Sequence, residues 1–357
     1  MKFNNLPHLV NKEILSHLPL AELLIFSQCS KKHMSYIQYL LKNELPKIGP
    51  LRILTDNSVN SWKFSGSLNS LNSRANTFIV MKPSSEIGDS TVFKLRIFGL
   101  ELSCCPSTDH EPMIVFGEEE QPEYLLQSFY NSIYTLFGHL IEYHLFAMVY
   151  EGMHIPILHH ITKSFFLAWQ TPELEKTLSL LSLLSPNMEY ICIYEMENCD
   201  FLNTPEMSQI PELELLSFHG NLGELLRKFA GKQLRVGAVN DAQLNVVEFL
   251  SAWKSKSAFG NIEVLKVQCD DSESLNVDEI MEKCDIKQID LDRDPPNYEY
   301  QTSDISNTFE KSFKSHQYIV RESDGRVASL KITPDCFEFG VWNWTEEQFL
   351  EEHLKRK

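Results

Sequence analysis

The chain reads as an α+β protein, with three short N-terminal helices, a β-rich segment, and an irregular α/β solenoid of strand–helix repeats ending in antiparallel strands. Three observations predict this. Leu6, Val10, Ile14 and Leu18 recur every fourth position, the spacing of one helix face. Between Leu51 and Phe116, short β-branched and aromatic runs alternate with Asn, Ser, Gly and Pro clusters, the mark of a small sheet. Beyond residue 185, strand-like runs begin at 190, 213, 234, 262 and 286, a near-regular period that belongs to repeated supersecondary units. The 357 residues exceed what one core usually serves, and the patterns divide them at 1–45, 46–185 and 186–357.

In the first segment, Asn5 is a candidate N-cap and Pro7 suits a first turn, where amide hydrogens lack intrahelical partners. Pro19 closes the helix by pushing Leu18 out of the α region. A second helix runs through AELLIFSQ, and Ser30 is placed to cap a third across KKHMSYIQYLLK. Leu9 and Leu15 fall on opposite sides of the main stripe, so apolar groups occupy about two thirds of the first helix's circumference at 100° per residue. A unit of this size cannot bury that much. The surplus either packs on the chain's own next segment or waits for a partner.

In the second segment, the runs LRIL, TFIVMK, TVFKLRIFGLEL and MIVF read as strands. Glu118, Glu119 and Glu120 read as a solvated connector. The stretch EYLLQSFYNSIYTLFGHL, with Leu125, Phe129, Ile133 and Phe137 at helical spacing, reads as a buried helix.

In the third segment, the runs YICIYEM, LELLSFH, LRVGAVN, IEVLKVQ and IKQIDLD are separated by helical stretches such as NLGELLRKFAG, NVVEFLSAWKSK and NVDEIMEKC. The spacing is leucine-rich-repeat-like, although the signature asparagine is missing; a doubly wound α/β sheet is the alternative. Stacked strands would turn Ile191, Leu216, Leu265 and Ile289 into the core. Tyr194, Ser217, His219, Arg235, Lys266, Gln268, Asp290 and Asp292 would then form an open, polar candidate substrate face. Toward the end, Asp324-Gly325 is a tight-turn pair between YIVRES and RVASLKI. Phe337, Phe339 and Val341 then alternate with Glu338 and Gly340 as in a half-buried strand, with Trp342 and Trp344 on its other face as packing or recognition residues.

The string LPHLVNKEILSHLPLAELLIFSQCSKKH resembles the F-box pattern without a gap, from Leu6-Pro7 through Ile14-Leu15, Leu18-Pro19 and Glu22-Leu23-Leu24 to Cys29-Ser30-Lys31. The phrase SQCSKK and the long remainder are further similar to nematode F-box proteins with a type 2 F-box-associated domain. The resemblance implies a unit that docks on a Skp1-like adaptor and through it on a cullin. It implies that Leu6, Pro7, Val10, Ile14, Leu15, Leu18, Leu23 and Leu24 divide between adaptor contact and the motif's own core. The remainder would bind a protein substrate, making the chain a substrate-recognition subunit of an SCF-type E3 ubiquitin ligase. The alternative is a non-degradative interaction scaffold whose helical motif packs internally.

Composition sets the exclusions. With 32 basic and 49 acidic residues the net charge is −17, which disfavours nucleic acid. No stretch matches a signal peptide or a membrane span, so a cytoplasmic or nuclear location and no membrane partner are expected. The eight cysteines form no C-x-x-C pairs and read as reduced thiols. Phosphate-loop, dinucleotide, nucleophile-elbow and zincin motifs are absent. His139, His144, His154, His159 and His160 lack ligand-spaced partners. No enzymatic activity, cofactor or metal is expected, and binding is the expected role.

Overall fold

The computed structural model describes residues 6–18, 20–41, 49–56, 61–66, 76–83, 85, 92–97, 100–105, 113–117, 122–138, 141–149, 158–168, 172–270, 274–303 and 309–355. The fold is mixed α/β and has two compact units, one of residues 1–164 with 184–187 and one of 165–183 with 188–357. Asn5, Pro19, Glu118 to Glu120, His139 and His154 lie outside the described residues.

The first unit begins with α1 (His8–Ser16), α2 (Leu20–Gln28) and α3 (Lys31–Leu41). It continues with β1 (Leu51–Asp56), β2 (Ser61–Gly66), β3 (Asn76–Pro83), β4 (Phe93–Ile97), β5 (Leu100–Cys105), β6 (Met113–Gly117), α4 (Pro122–Phe137) and β7 (Tyr143–Val149). Its strands lie in the order β7-β1-β2-β3-β6-β5-β4. The run TVFKLRIFGLEL divides into the antiparallel pair β4 and β5, and β2 and β7 join the strands expected from sequence. Pro7 stands at the N-cap of α1 instead of in its first turn. Ser30 caps α3 as its position suggests, its Oγ accepting from His33 N at 3.1 Å. The helices do not stand apart from the sheet: α2 packs on β3, and both α2 and α3 pack on α4. Leu20 lies against Gly66, where a β-carbon would come within 3.2 Å of its Cδ1.

The boundary between the units falls within β8 (Ile161–Ala168), which is followed by α5 (Pro172–Leu184). The second unit then alternates strand and helix as β9 (Tyr190–Met196), α6 (Pro205–Ser208), β10 (Glu212–Phe218), α7 (Leu222–Lys228), β11 (Gln233–Val239), α8 (Ala242–Lys254), β12 (Val264–Cys269) and α9 (Val277–Cys284). Asn221 and Asn276 cap α7 and α9 by accepting from Glu224 N and Glu279 N, satisfying donors that have no partner within the helix. The short strands β13 (Lys287–Gln288), β14 (Asn297–Glu299) and β15 (Ser312–Lys314) follow, then β16 (Gln317–Val320), β17 (Arg326–Ile332), β18 (Cys336–Thr345) and α10 (Glu346–Lys355). The Asp324-Gly325 turn forms as expected, with Gly325 at φ +69°, a conformation glycine adopts without steric cost.

Consecutive strands β9, β10, β11 and β12 are parallel neighbours, and β18 closes against β12 antiparallel. Their register sets Ile191, Leu213, Leu234, Leu265 and Phe339 abreast, and next to them Ile193, Leu215, Val236, Val267 and Phe337. All ten are buried. Phe249 and Trp253 of α8 meet Phe339 edge-on at 5.0 and 5.1 Å, so the helix layer covers this face.

Two sequence expectations are corrected here. Leu216 is not a core residue, because alternation gives that role to Leu213 and Leu215. The run IKQIDLD does not extend the parallel repeat: only Lys287–Gln288 are strand, antiparallel to β16, and Ile289 is half-buried. Its Asp-rich end and the proline pair at 295 and 296 cannot supply the continuous apolar rows that the preceding strands share.

The opposite face of the same strands is covered by the β14–β15 hairpin. Tyr298 lies over Gly340, where a β-carbon would stand 2.2 Å from the ring. The ring also packs with Val264, Phe313 and Trp342, and its hydroxyl donates to Val341 O at 3.2 Å. Trp342 and Trp344 are packing residues, stacked on each other at 4.7 Å and set against Phe349 of α10. Gly340→Val forces Tyr298 off its seat, and a loss of about 1–3 kcal/mol is expected from overpacking. Urea unfolding followed by tryptophan fluorescence checks it, and an unchanged midpoint would mean that the hairpin is not seated there.

Candidate functional site

Two surfaces compete for the role of site. The first is the outer side of α1. Leu15 is fully buried, as are Leu23 and Leu24 on α2 and Ile37 on α3, so one side of α1 closes the small helical core. Val10 and Ile14, one turn apart, remain 43% and 39% exposed, and the neighbouring Leu9 is 76% exposed. Leu6 and Leu18 are half-buried, and Pro7 is exposed. Tyr39 of α3 stands edge-on to His8 at 5.8 Å and extends the patch with an exposed ring. Glu13 and His17, paired at 3.1 Å, border it with polar groups.

A cluster of large aliphatic side chains in water on a nine-residue helix is costly in proportion to its area. Packing of α2 and α3 on α4 leaves this cluster untouched. The eight residues implied by the motif therefore divide. Leu15, Leu23 and Leu24 hold the helices together, while Pro7, Val10 and Ile14 face outward, with Leu6 and Leu18 at the margin. Leu9, already named in the sequence as lying off the four-residue stripe, was not among the eight residues that the resemblance implies.

The second surface is the polar side of the second unit's sheet, and it is not open. The row Cys192, Glu214, Arg235, Lys266 and Glu338 crosses five strands abreast. Arg235 is 1% exposed, which corrects its assignment to an open face. Its Nε donates to Glu214 Oε2 at 3.1 Å, and its Nη2 to Glu212 Oε2 at 3.4 Å. Tyr190 donates to Glu214 at 3.1 Å. Burial opposes the Arg235 charge, but Glu214, Tyr300, Glu212 and Tyr190 together outweigh it and hold its pKa above the usual arginine value. Lys266 is likewise mostly covered, ion-paired with Glu338 and lying 5.4 Å from the ring of Phe309. Residues 301–303 close the face through Thr302 Oγ1 and Ser303 N, which donate to Glu212 at 2.6 and 2.8 Å, and through Gln301 O, which accepts from Gln233 at 2.7 Å. Buried charges need partners, and these supply them.

The remaining residues of that face are scattered. Tyr194 is 46% exposed and Gln268 is exposed. Ser217 pairs in register with Glu195, so it alternates to the side opposite Tyr194, where it bonds His219 at 3.1 Å. Asp290 and Asp292 lie in the exposed turn after β13, where Asp290 accepts from Asp292 N. The eight do not form one surface, because a single period-2 assignment cannot account for the covering hairpin and the broken fifth repeat.

His144 is buried and bonds Glu142 at 3.1 Å. Burial is the main cause holding the His144 pKa down, and the His144 bond is the main cause lowering the Glu142 carboxyl to about 2. Among the described residues no three His, Cys, Asp or Glu side chains form a metal-binding group, and no described helix is long and apolar enough to cross a membrane. Burial pushes the Cys104 and Cys336 thiols up to about 12 and that of Cys199 up to about 11, the reverse of what a nucleophilic thiolate requires.

Comparison with known proteins adds one match. Residues 3–40 match the F-box domain, a span that contains α1, α2 and nearly all of α3. F-box domains bind Skp1-like adaptors in SCF-type ubiquitin ligases. Neither the curated proteins nor the solved structures include a significant match to the chain.

Two outcomes are expected. Arg235→Met leaves Glu214 buried without its cation and should cost about 3–5 kcal/mol in urea unfolding; a neutral result would mean that the polar face is open to water. In native protein, iodoacetamide should modify the exposed Cys29 well before the seven other thiols. Rapid labelling of Cys104 or Cys199, read by peptide mass mapping, would contradict their burial.

Proposed function

We propose that this chain is the substrate-recognition subunit of an SCF-type ubiquitin ligase. The outward face of α1 seats a Skp1-like adaptor, and through it a cullin, while the 188–357 region binds a protein substrate. The observation that carries the reading is the combination of an F-box match over residues 3–40 with an uncovered apolar cluster of Leu9, Val10 and Ile14 on that same segment. The mechanism is proximity: a substrate tethered beside a charged conjugating enzyme has a raised effective concentration, and the receptor supplies no acid, base or nucleophile. The reading includes a cytoplasmic or nuclear location, with no cofactor and neither nucleic acid nor membrane as partner. The parallel run from β9 to β12, in which each strand neighbours the next, supports a leucine-rich-repeat-like reading of the substrate region. The SQCSKK phrase supports the nematode type 2 F-box-associated assignment.

One observation favours a second reading, a non-degradative scaffold whose helical motif packs internally: α2 and α3 already rest on α4, with Gln38 donating to Thr135 O. It leaves Leu9, Val10 and Ile14 without a cover.

Co-purification of the full-length chain with a Skp1-like adaptor decides between them. Wild type is expected to retain the adaptor. Val10→Asp with Ile14→Asp should weaken retention about tenfold or more without loss of helical circular dichroism, since Leu15 keeps its core position. Absence of wild-type binding, or binding indifferent to these changes, would overturn the proposal.

A further inference from the structure

We infer that a cleft in the second unit receives a carboxylate of the substrate polypeptide; this rests on the substrate-receptor reading above. The cleft has a volume of about 520 Å³, within the range of pre-formed ligand sites and far larger than one ion needs. It lies where the loops entering β10, β11 and β12 meet the β16–β17 hairpin, and Lys232, Glu263, Arg321 and Arg326 line it.

Three cations and one carboxylate thus converge in a chain whose net charge is −17. At physiological salt the screening length is about 8 Å, so the local set decides what binds. The three cations differ in what already occupies them. Arg321 is spent: its fork takes both oxygens of Asp324 at 2.9 and 2.8 Å, and it lies 5.0 Å from the ring of Trp253. Lys232 is paired with Glu263 at 3.2 Å, but both side chains are more than half exposed, and such a pair is weak and exchangeable. Among the described residues the Arg326 guanidinium has no partner; only its backbone is engaged, with N donating to Asp324 and O accepting from Arg321 N. A free guanidinium and an exchangeable ammonium lining one cleft suit a carboxylate, which a fork holds with two parallel bonds.

Backbone shape fits an extended chain. Gly231 in the lining is held to glycine, because a β-carbon there would lie 1.9 Å from Ile210 O. Gly260 has nothing within 4 Å of where its β-carbon would be, which leaves that edge open. The carboxylate can belong to an acidic side chain or to the end of a chain.

The test uses the immobilised full-length protein and a random octapeptide library made in two forms, one with a free C-terminal carboxylate and one amidated, with retained peptides sequenced. Enrichment of Asp and Glu at a fixed position identifies a side-chain carboxylate; preference for the free form over the amide identifies a chain end. Either preference is expected to fall at least tenfold in Arg326→Glu and in Gly260→Asp. Gly260→Asp builds into open space, Arg326 is exposed, and an unchanged unfolding midpoint checks each fold. Retained peptides with no carboxylate preference, or a preference unchanged in both variants, would overturn the inference. Adaptor capture with the same wild-type protein separates the two failures: its loss removes the receptor reading itself, and its persistence without a carboxylate preference removes only the cleft.

Discussion

Strand register is the constraint on which the second unit depends. Because Leu213, Leu234, Leu265 and Phe339 stand abreast, and Glu214, Arg235, Lys266 and Glu338 stand abreast one residue along, the two faces of the sheet have opposite chemistry. A slip of one residue in any strand would drive a charged side chain into the helix layer and a leucine or phenylalanine into the ion-pair row. The ion pairs therefore help to specify the alignment even where they add little net stability, since a buried pair gains little over a well-packed apolar one. The hairpin that carries Tyr298 then follows. A sheet with charges on one side must either leave them in water or give each a partner, and here Thr302, Ser303 and Gln301 provide cover with hydrogen bonds.

The first unit is ruled by a shortage of cover. Three short helices bury Leu15, Leu23, Leu24 and Ile37 completely, and packing on α4 and β3 removes the inner sides of α2 and α3 from water. What is left over is on α1 and, at Tyr39, on α3. A residual apolar patch bordered by polar groups, at the part of the chain that matches an F-box domain, is how a docking helix differs from a merely amphipathic one.

Much of this was legible in the sequence. Apolar periodicity located α1 and α4, the Ser30 cap located α3, strand-like runs at near-regular spacing located β9 to β12, alternation located β18, and turn chemistry located the Asp324-Gly325 bend, because each of these is a local preference reinforced by tertiary packing. Where reading failed, the deciding contact was remote. Leu216 was assigned to the core in place of Leu213 and Leu215 because the phase of a short apolar run is ambiguous until its neighbours are aligned. Arg235 was placed in the open because nothing near it in sequence announces a hairpin from some seventy positions further on. The run at 286 shares the spacing of the preceding strands yet pairs antiparallel with β16, since spacing alone cannot show whether a strand finds a neighbour. The strand β2 was passed over although Trp62 and Phe64 alternate there. The cleft around Arg326 gathers loops spread over more than a hundred positions, and no local motif could have revealed it.

In the proposed reading the adaptor seats on the outward face of α1, with Pro7 ahead of it and Tyr39 of α3 at its margin. Hydrogen exchange of the full-length protein, measured with and without a saturating Skp1-like adaptor, tests this most directly. Slowed exchange is expected to concentrate in residues 8–18, with unchanged exchange in β9 to β12. Protection confined to the second unit, or none anywhere, would contradict it.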